Sequence, residues 1–311
     1  MQKTDFLESH KRIKKYIHNT PVLTSQLIDK RVGSKLFFKC ENFQKAGSFK
    51  IRGALNAILS LPKKDQLNGV VTHSSGNFAQ ALSLAAAKLE IQAFIVMPSS
   101  APQVKKNAVE EYNGQIIECE PTLEARIKAA KKIEQTHGAT FIHPSNNKNV
   151  ILGQGSAGIE MLEEHPDLDL IFCPVGGGGL ISGTAIAAHF FGNKCRVVGG
   201  EPTAVNDAFR SLESGKIESN ITTNTVADGL KTQLGNHTFP IIQEYVQEII
   251  CVEENEIIEA MKLIWERLKI ISEPSAAVAL AALIKNKQAF QNQNIGIIVS
   301  GGNVDLNHLP F

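Results

Sequence analysis

The 311 residues are 43% hydrophobic and 20% charged, which provides for one large or two ordinary buried cores and excludes a disordered chain. With 32 Lys/Arg against 31 Asp/Glu the formal net charge is +1, and no Lys/Arg block stands out, so nucleic acid is not an expected partner. A small molecule is.

The five cysteines, Cys40, Cys119, Cys173, Cys195 and Cys251, are odd in number, widely spaced and free of any C-x-x-C pair, as in a reduced cytosolic protein. Met1 to Phe6 shows no apolar signal core, and no apolar run reaches membrane-spanning length. A cytoplasmic protein without a membrane partner is the expectation.

In chain order, Phe6 to Ile17 reads as a short amphipathic helix, Thr24-Ser25 can cap a second, and Leu36 to Lys39 reads as a strand. Beyond residue 60 the pattern alternates. Strands are predicted at Val70-Val71, Ala93 to Met97, Ile116-Ile117 and Thr140 to Ile142, with helices at Phe78 to Leu89, Ala101 to Tyr112 and Leu123 to His137. A second set follows, with strands at Leu170 to Val175, Arg196 to Val198, Ile249 to Val252 and Ile295 to Val299. Its helices are Gly155 to Glu164, Leu180 to Phe191, Glu254 to Lys269 and Ser275 to Ile284. Such alternation predicts an α/β fold of two doubly wound halves, with largely parallel sheets covered on both faces and a break near residue 145.

Several junctions carry chemistry-bearing residues. Lys50 lies between the first strand and the helix opening at Gly53, with Ala46-Gly47-Ser48 as a flexible approach and Ser48 as a cap. An amine there becomes a nucleophile when desolvation or a neighbouring cation, here Arg52, lowers its pKa; the alternative is a solvated loop lysine. In Val71 to Gln80 a strand runs through His73-Ser74-Ser75-Gly76-Asn77 into a helix whose first amides suit a carboxylate, or are simply capped.

Pro174-Val175-Gly176-Gly177-Gly178-Gly179-Leu180 follows a buried strand and opens a helix, so its N–H groups can hold a phosphate. A dinucleotide site is the rival, since Glu201 follows about 20 residues later, but the third glycine of G-x-G-x-x-G falls on Ser182. Glu201 and Asp207 with the Val205 carbonyl offer three hard oxygens to Mg2+ or Ca2+, or form a solvated loop. No H-E-x-x-H or other zinc spacing occurs.

Taken together, Glu41 to Ala54, the Ser74-Ser75-Gly76-Asn77 turn, the tetraglycine, Ala227-Asp228-Gly229-Leu230, Glu273-Pro274-Ser275-Ala276-Ala277 and Ser300-Gly301-Gly302-Asn303 resemble fold-type II pyridoxal-phosphate (PLP) enzymes. The branch is that of serine racemase and the serine/threonine dehydratases, and the resemblance covers nearly the whole chain. It implies a tryptophan synthase β-like fold, with a large domain of residues 1–62 plus 146–311 and an inserted small domain of 63–145. It implies a homodimer and PLP bound through Lys50.

Phe49, Asn77, Gly176, Gly177, Gly178, Gly179, Leu180, Glu273 and Ser300 would line that cofactor. Ser74, Ser75, Gly76, Asn77, Arg126 and Thr232 would meet the substrate, and Glu201, Val205 and Asp207 a Mg2+ (or Ca2+/Mn2+) ion. Lys50 and Ser75 are the expected catalytic pair, one on each face of the substrate, and Ser300 at the pyridine nitrogen favours elimination and racemisation over transamination.

Two departures stand out. Phe78 replaces a histidine frequent in relatives, and Ala277 replaces a glycine. Gln26, Ala46 and Glu118 stand where ATP-binding animal racemases have serine, threonine and tyrosine, so nucleotide activation is not expected. The activity implied is serine racemisation with L-serine/L-threonine dehydration. The alternatives are a dedicated threonine or 3-hydroxyaspartate ammonia-lyase and, more remotely, a non-catalytic binding protein.

Overall fold

Apolar β-rich runs alternating with amphipathic helices give two separate sheets. The computed structural model describes residues 1–311. The chain begins with α1 (Lys3–Ile13), β1 (Val22–Leu23), α2 (Gln26–Val32), β2 (Lys35–Cys40), α3 (Lys50–Leu59) and α4 (Lys63–Leu67). It continues through β3 (Val70–His73), α5 (Asn77–Lys88), β4 (Ala93–Pro98), α6 (Gln103–Glu111), β5 (Gln115–Cys119), α7 (Leu123–His137) and β6 (Thr140–Phe141). The remainder is α8 (Lys148–Glu164), β7 (Leu170–Pro174), α9 (Gly179–Phe191), β8 (Arg196–Pro202), α10 (Asp207–Ser214), α11 (Phe239–Tyr245), β9 (Glu248–Val252), α12 (Glu254–Leu268), α13 (Pro274–Lys285) and β10 (Asn294–Val299).

The six-stranded sheet has the order β1-β2-β10-β7-β8-β9 and is parallel except for the edge pair β1/β2. The four-stranded sheet, β5-β4-β3-β6, is wholly parallel. β7 is buried at every position, as expected of a strand covered on both faces. One face of the larger sheet packs on α2, α12 and α13 through Ile28, Met261 and Val278; the other packs on α9 and α11 through Ile181, Ala185 and Ile242.

Helix α3 serves both sheets. Its Ile51, Leu55 and Ile58 share a core with Ile13 of α1 and with Phe78, Leu82 and Ile95 of the smaller sheet's layer. Its other side meets α8 where two glycines face each other: a Cβ on Gly153 would lie 2.4 Å from the Arg52 carbonyl and 2.8 Å from Gly53 Cα.

A buried ion cluster joins the same elements. Arg52, 0% exposed, donates from Nε to Glu41 (2.7 Å), and from Nη1 and Nη2 to Glu160 (2.8 and 2.7 Å). Lys39 Nζ stands 2.8 Å from the same Glu160. Burial opposes the Arg52 charge, but the two carboxylates more than offset it and hold the group protonated.

Several elements differ from their predicted extents for visible reasons. α1 ends at Ile13, short of Ile17, and α8 starts seven residues before Gly155 because the Asn147 side chain accepts from Asn149 N and Val150 N. β8 runs on through Gly199 and Gly200 to Pro202, since bare backbone is what α13 requires there: a Cβ on Gly200 would meet the Val278 carbonyl at 2.8 Å.

Candidate active site

The carboxyl ends of β2, β10, β7 and β3 converge on one cleft, the usual ligand side of open parallel sheets. After β2 the chain turns through Ala46 (φ 58) and Gly47 (φ 67), and Ser48 forms an antiparallel bridge with Gly301. Phe49 N then donates to the Ser300 carbonyl at 3.1 Å, which fixes the start of α3, and Lys50 with it, against the end of β10.

Two expectations need correcting here. Ser48 does not cap α3: the bridge to Gly301 turns it away, its hydroxyl is buried without a partner, and Phe49 occupies the cap position. Nor does Arg52 activate Lys50, because its charge is consumed by Glu41 and Glu160. Burial lowers the Lys50 pKa to about 8, and Glu273 partly opposes the shift. Lys50 Nζ donates to the Pro144 carbonyl at 3.3 Å and stands 4.9 Å from the Phe49 ring centre and 6.0 Å from that of Phe78.

Between β7 and α9 the four glycines form a tight cup. Gly178 (φ 80) needs the left-handed conformation, and a Cβ on Gly177 would lie 2.3 Å from Ser145 Oγ. The first intrahelical bond here is donated by Ser182 to the Gly178 carbonyl, so the N–H groups at Gly179 and Leu180 are free of the helix ladder. Thr232, on an exposed loop, brings Oγ1 within 3.3 Å of the same Gly177 Cβ position.

At the opposite wall Asn77 Nδ2 donates to both oxygens of Glu273 (2.9 and 3.0 Å), and Asn77 Oδ1 accepts from Asn303 Nδ2 at 3.0 Å. Glu273 N in turn donates to the Gly301 carbonyl at 3.0 Å, so Asn77, Glu273 and the Ser300 turn form one bonded unit. Burial raises the Glu273 pKa to about 7. Ser74, Ser75 and Gly76, all partly open, lead into α5, and Gly76 N donates to Ser74 Oγ at 3.4 Å.

Arg126, on the first turn of α7, is not in contact with this unit; its Nε donates to the Thr122 carbonyl at 3.4 Å, and its charge helps to depress the His73 pKa. Lys105 of α6 reaches Asp228 at 2.6 Å and ties the two sheet layers together beside the cleft.

Glu201 and Asp207 form a separate pair at the exit of β8, with the buried Val205 between them in the chain. Glu201 accepts from Ala208 N and Phe209 N (2.9 and 2.8 Å), and Asp207 Oδ2 accepts from Leu234 N at 2.9 Å while Oδ1 is buried without a partner. Burial raises the two carboxyls to about 8 and about 6, and for Glu201 the charge of Asp207 adds to the shift. Two desolvated, mutually repelling carboxyls with a spare oxygen fit a hard divalent cation.

Sequence reasoning passed over Asn303, His143 and Ser145. Asn303 lies three residues after Ser300, the one residue of that turn with an expected role. His143 follows β6 at a strand's carboxyl end, and its Nδ1 accepts from Ser145 N (3.2 Å) and Asn146 N (2.9 Å), which places the proton on Nε2. Burial first, then neighbouring His73 and Lys50, depresses its pKa to about 4.

A lysine of lowered pKa, a glycine cup that any Cβ would fill, and a buried serine at a strand end between them fit a phosphate-bearing aldehyde. Residues 13–301 match the model of the pyridoxal-phosphate dependent enzyme family, and the chain belongs to that family. Within it the chain is a member of the serine racemase and serine/threonine dehydratase branch. It is 50% identical to a serine racemase of Dictyostelium discoideum over 98% of this chain and 95% of that one. It is 45% identical to a beta-hydroxyaspartate dehydratase of Paracoccus denitrificans, over 99% and 98%. The solved structure of maize serine racemase superposes with a TM-score of 0.96 at 46% identity, covering 98% of this chain and 94% of that one.

Proposed function

We propose that this enzyme racemises serine and also dehydrates L-serine and L-threonine to the 2-oxo acid and ammonia. PLP, when bound, supplies an aldehyde that captures amino groups and a ring that takes up the electron pair released at Cα. Lys50 is the residue of attachment; its freed Nζ takes the α-proton, and a pKa near 8 keeps a useful fraction unprotonated at neutral pH. Ser75 Oγ returns a proton to Cα from the other face, which yields the D-enantiomer. When the β-hydroxyl leaves instead, hydrolysis of the remainder gives pyruvate and ammonia.

In this reading the cup from Gly176 to Leu180 holds the phosphate and Ser300 meets the ring nitrogen. Phe49 lines the ring, and Asn77, oriented by Glu273 and Asn303, meets its hydroxyl. Ser74, Gly76 and the first amides of α5 hold the substrate carboxylate, with Arg126 and Thr232 arriving at the mouth. The observation that carries the reading is that Lys50 and Ser75 stand on different walls, one at the head of α3 beside β10 and the other on the turn leaving β3 of the second sheet.

The test is the product partition from L-serine with PLP and Mg2+, with D-serine counted by chiral chromatography and pyruvate measured in the same tube. Both products are expected. In Ser75→Ala, D-serine formation falls at least about a hundredfold while pyruvate is retained. Pyruvate alone from the wild type would replace the reading with a dedicated threonine or 3-hydroxyaspartate ammonia-lyase, which the similarity to the Paracoccus dehydratase keeps in view; turnover of each hydroxy amino acid would then identify the substrate.

The Glu201, Val205 and Asp207 group is proposed to hold Mg2+, Ca2+ or Mn2+, and the protein to act as a cytoplasmic homodimer. The cation would reach the cofactor pocket by a short route. Asp207 holds Leu234 N, and the Leu234 side chain packs where a Gly178 Cβ would be, at 2.8 Å. Chelation by EDTA is expected to lower Tm by about 5 °C and added Mg2+ to restore it, as for a site saturated at about 100 times its Kd. An unchanged Tm would remove the cation from the proposal.

A further inference from the structure

The cup has a back wall that no motif pointed to. Gln154 of α8 is 0% exposed, and neither its Oε1 nor its Nε2 has a hydrogen-bond partner. Buried carboxamides are nearly always bonded, and which end is oxygen is an assignment from partners, so an amide with no partner at either end needs a reason. Its helix is otherwise well satisfied: Ser156 and Glu160 both bind Arg52.

The surroundings of Gln154 supply the reason. Its Oε1 lies 2.5 Å from the position of a Cβ on Gly179, the first residue of α9, and its Cγ lies 3.0 Å from that on Gly53, one turn after Lys50. Ser145, whose Oγ closes on Gly177, also crowds Gly179, with its Cα 3.0 Å from the Gly179 Cβ position. The amide therefore sits where the lysine helix, the phosphate cup and the loop after β6 meet. Met or Leu would fill the same volume without a desolvated amide if packing were the only demand.

We propose that Gln154 is a cofactor-seating residue, whose carboxamide finds its hydrogen-bond partner, directly or through one bridging water, when a phosphate monoester stands on the Gly176–Leu180 turn. The proposal rests on the family's cofactor occupying that turn. Seating the phosphate then also settles the contact between α8 and α3, the helix that presents Lys50.

The experiment compares apoenzymes of wild type, Gln154→Met and Gln154→Glu, titrated with PLP, with pyridoxal lacking the phosphate, and with inorganic phosphate. Protein fluorescence reports the dissociation constants, and thermal melts report stability. Gln154→Met is expected to melt at or above the wild-type apoenzyme temperature, to bind PLP at least tenfold more weakly, to bind pyridoxal unchanged, and to lose the Tm rise caused by inorganic phosphate. Gln154→Glu, which keeps the shape but adds like charge beside the phosphate, should bind PLP more weakly still, and carries the test if the Met variant does not fold.

Equal PLP affinity within twofold, with apo and holo melts falling together, would overturn the proposal and leave Gln154 as a core amide satisfied by trapped water. A wild type that did not bind PLP at all would instead sink the cofactor reading beneath it.

Discussion

Replacing Lys50 with alanine is expected to reduce both D-serine and pyruvate formation by at least about a thousandfold, because one amine is both the attachment point and the base on its face. The fold should survive. Lys50 Nζ makes one hydrogen bond, to the Pro144 carbonyl, and burial disfavours its charge. The sign of the stability change can be checked as well. The folded pKa, about 8, lies below the ordinary 10.5, so between these values the unfolded chain holds more protons and wild-type apoenzyme stability rises with pH. Below about pH 8 the penalty is fully present, so Lys50→Ala apoenzyme should melt at or above wild type at pH 7, and the difference should vanish beyond pH 10.5. Product assays and pH-dependent melts of the same two proteins check both statements. Either product formed at the wild-type rate would end the assignment of Lys50.

What could be read from the sequence follows from which constraints are local. The glycine run was legible because a phosphate cup demands bare backbone at consecutive positions, and Gly178 at φ 80, itself against Leu234 and with Gly177 and Gly179 crowded by Ser145, shows why. The alternation of apolar runs with amphipathic stretches was enough for parallel sheets. Ser48 misled because a serine before a helix looks like a cap, whereas its backbone pairs with Gly301, far along the chain. Arg52 misled in the same way: its Glu160 partner lies 108 residues away, so an arginine two residues from the lysine read as an activator. Gly199 and Gly200 looked like a strand end until the layers on the two faces were packed on them, Ile181 of α9 beside Gly199 and Val278 of α13 beside Gly200. Gln154 and His143 gave no signal, since an isolated Gln or His means nothing until the elements around it converge.

Arg52→Met is expected to cost about 3–5 kcal/mol of folding stability, because it leaves the buried Glu41 carboxylate with no cation and Glu160 with Lys39 alone. The wild-type cluster is balanced: two cations face two carboxylates, all four residues are buried, and Ser156 and Thr20 add hydroxyls. Arg52→Lys should fail nearly as badly, since one ammonium cannot reproduce the guanidinium's paired bonds to Glu41 and Glu160. Urea unfolding of the three proteins, read as a shift in midpoint at constant slope, measures the loss. A loss below about 1 kcal/mol in Arg52→Met would mean that the two carboxyls simply take up protons and that the cluster is dispensable. A loss of the expected size would explain why an arginine sits two residues from the catalytic lysine. It ties α3 to Glu41 just past β2 and to Glu160 of α8, so that the amine is held at the end of β10 by charges that never touch it.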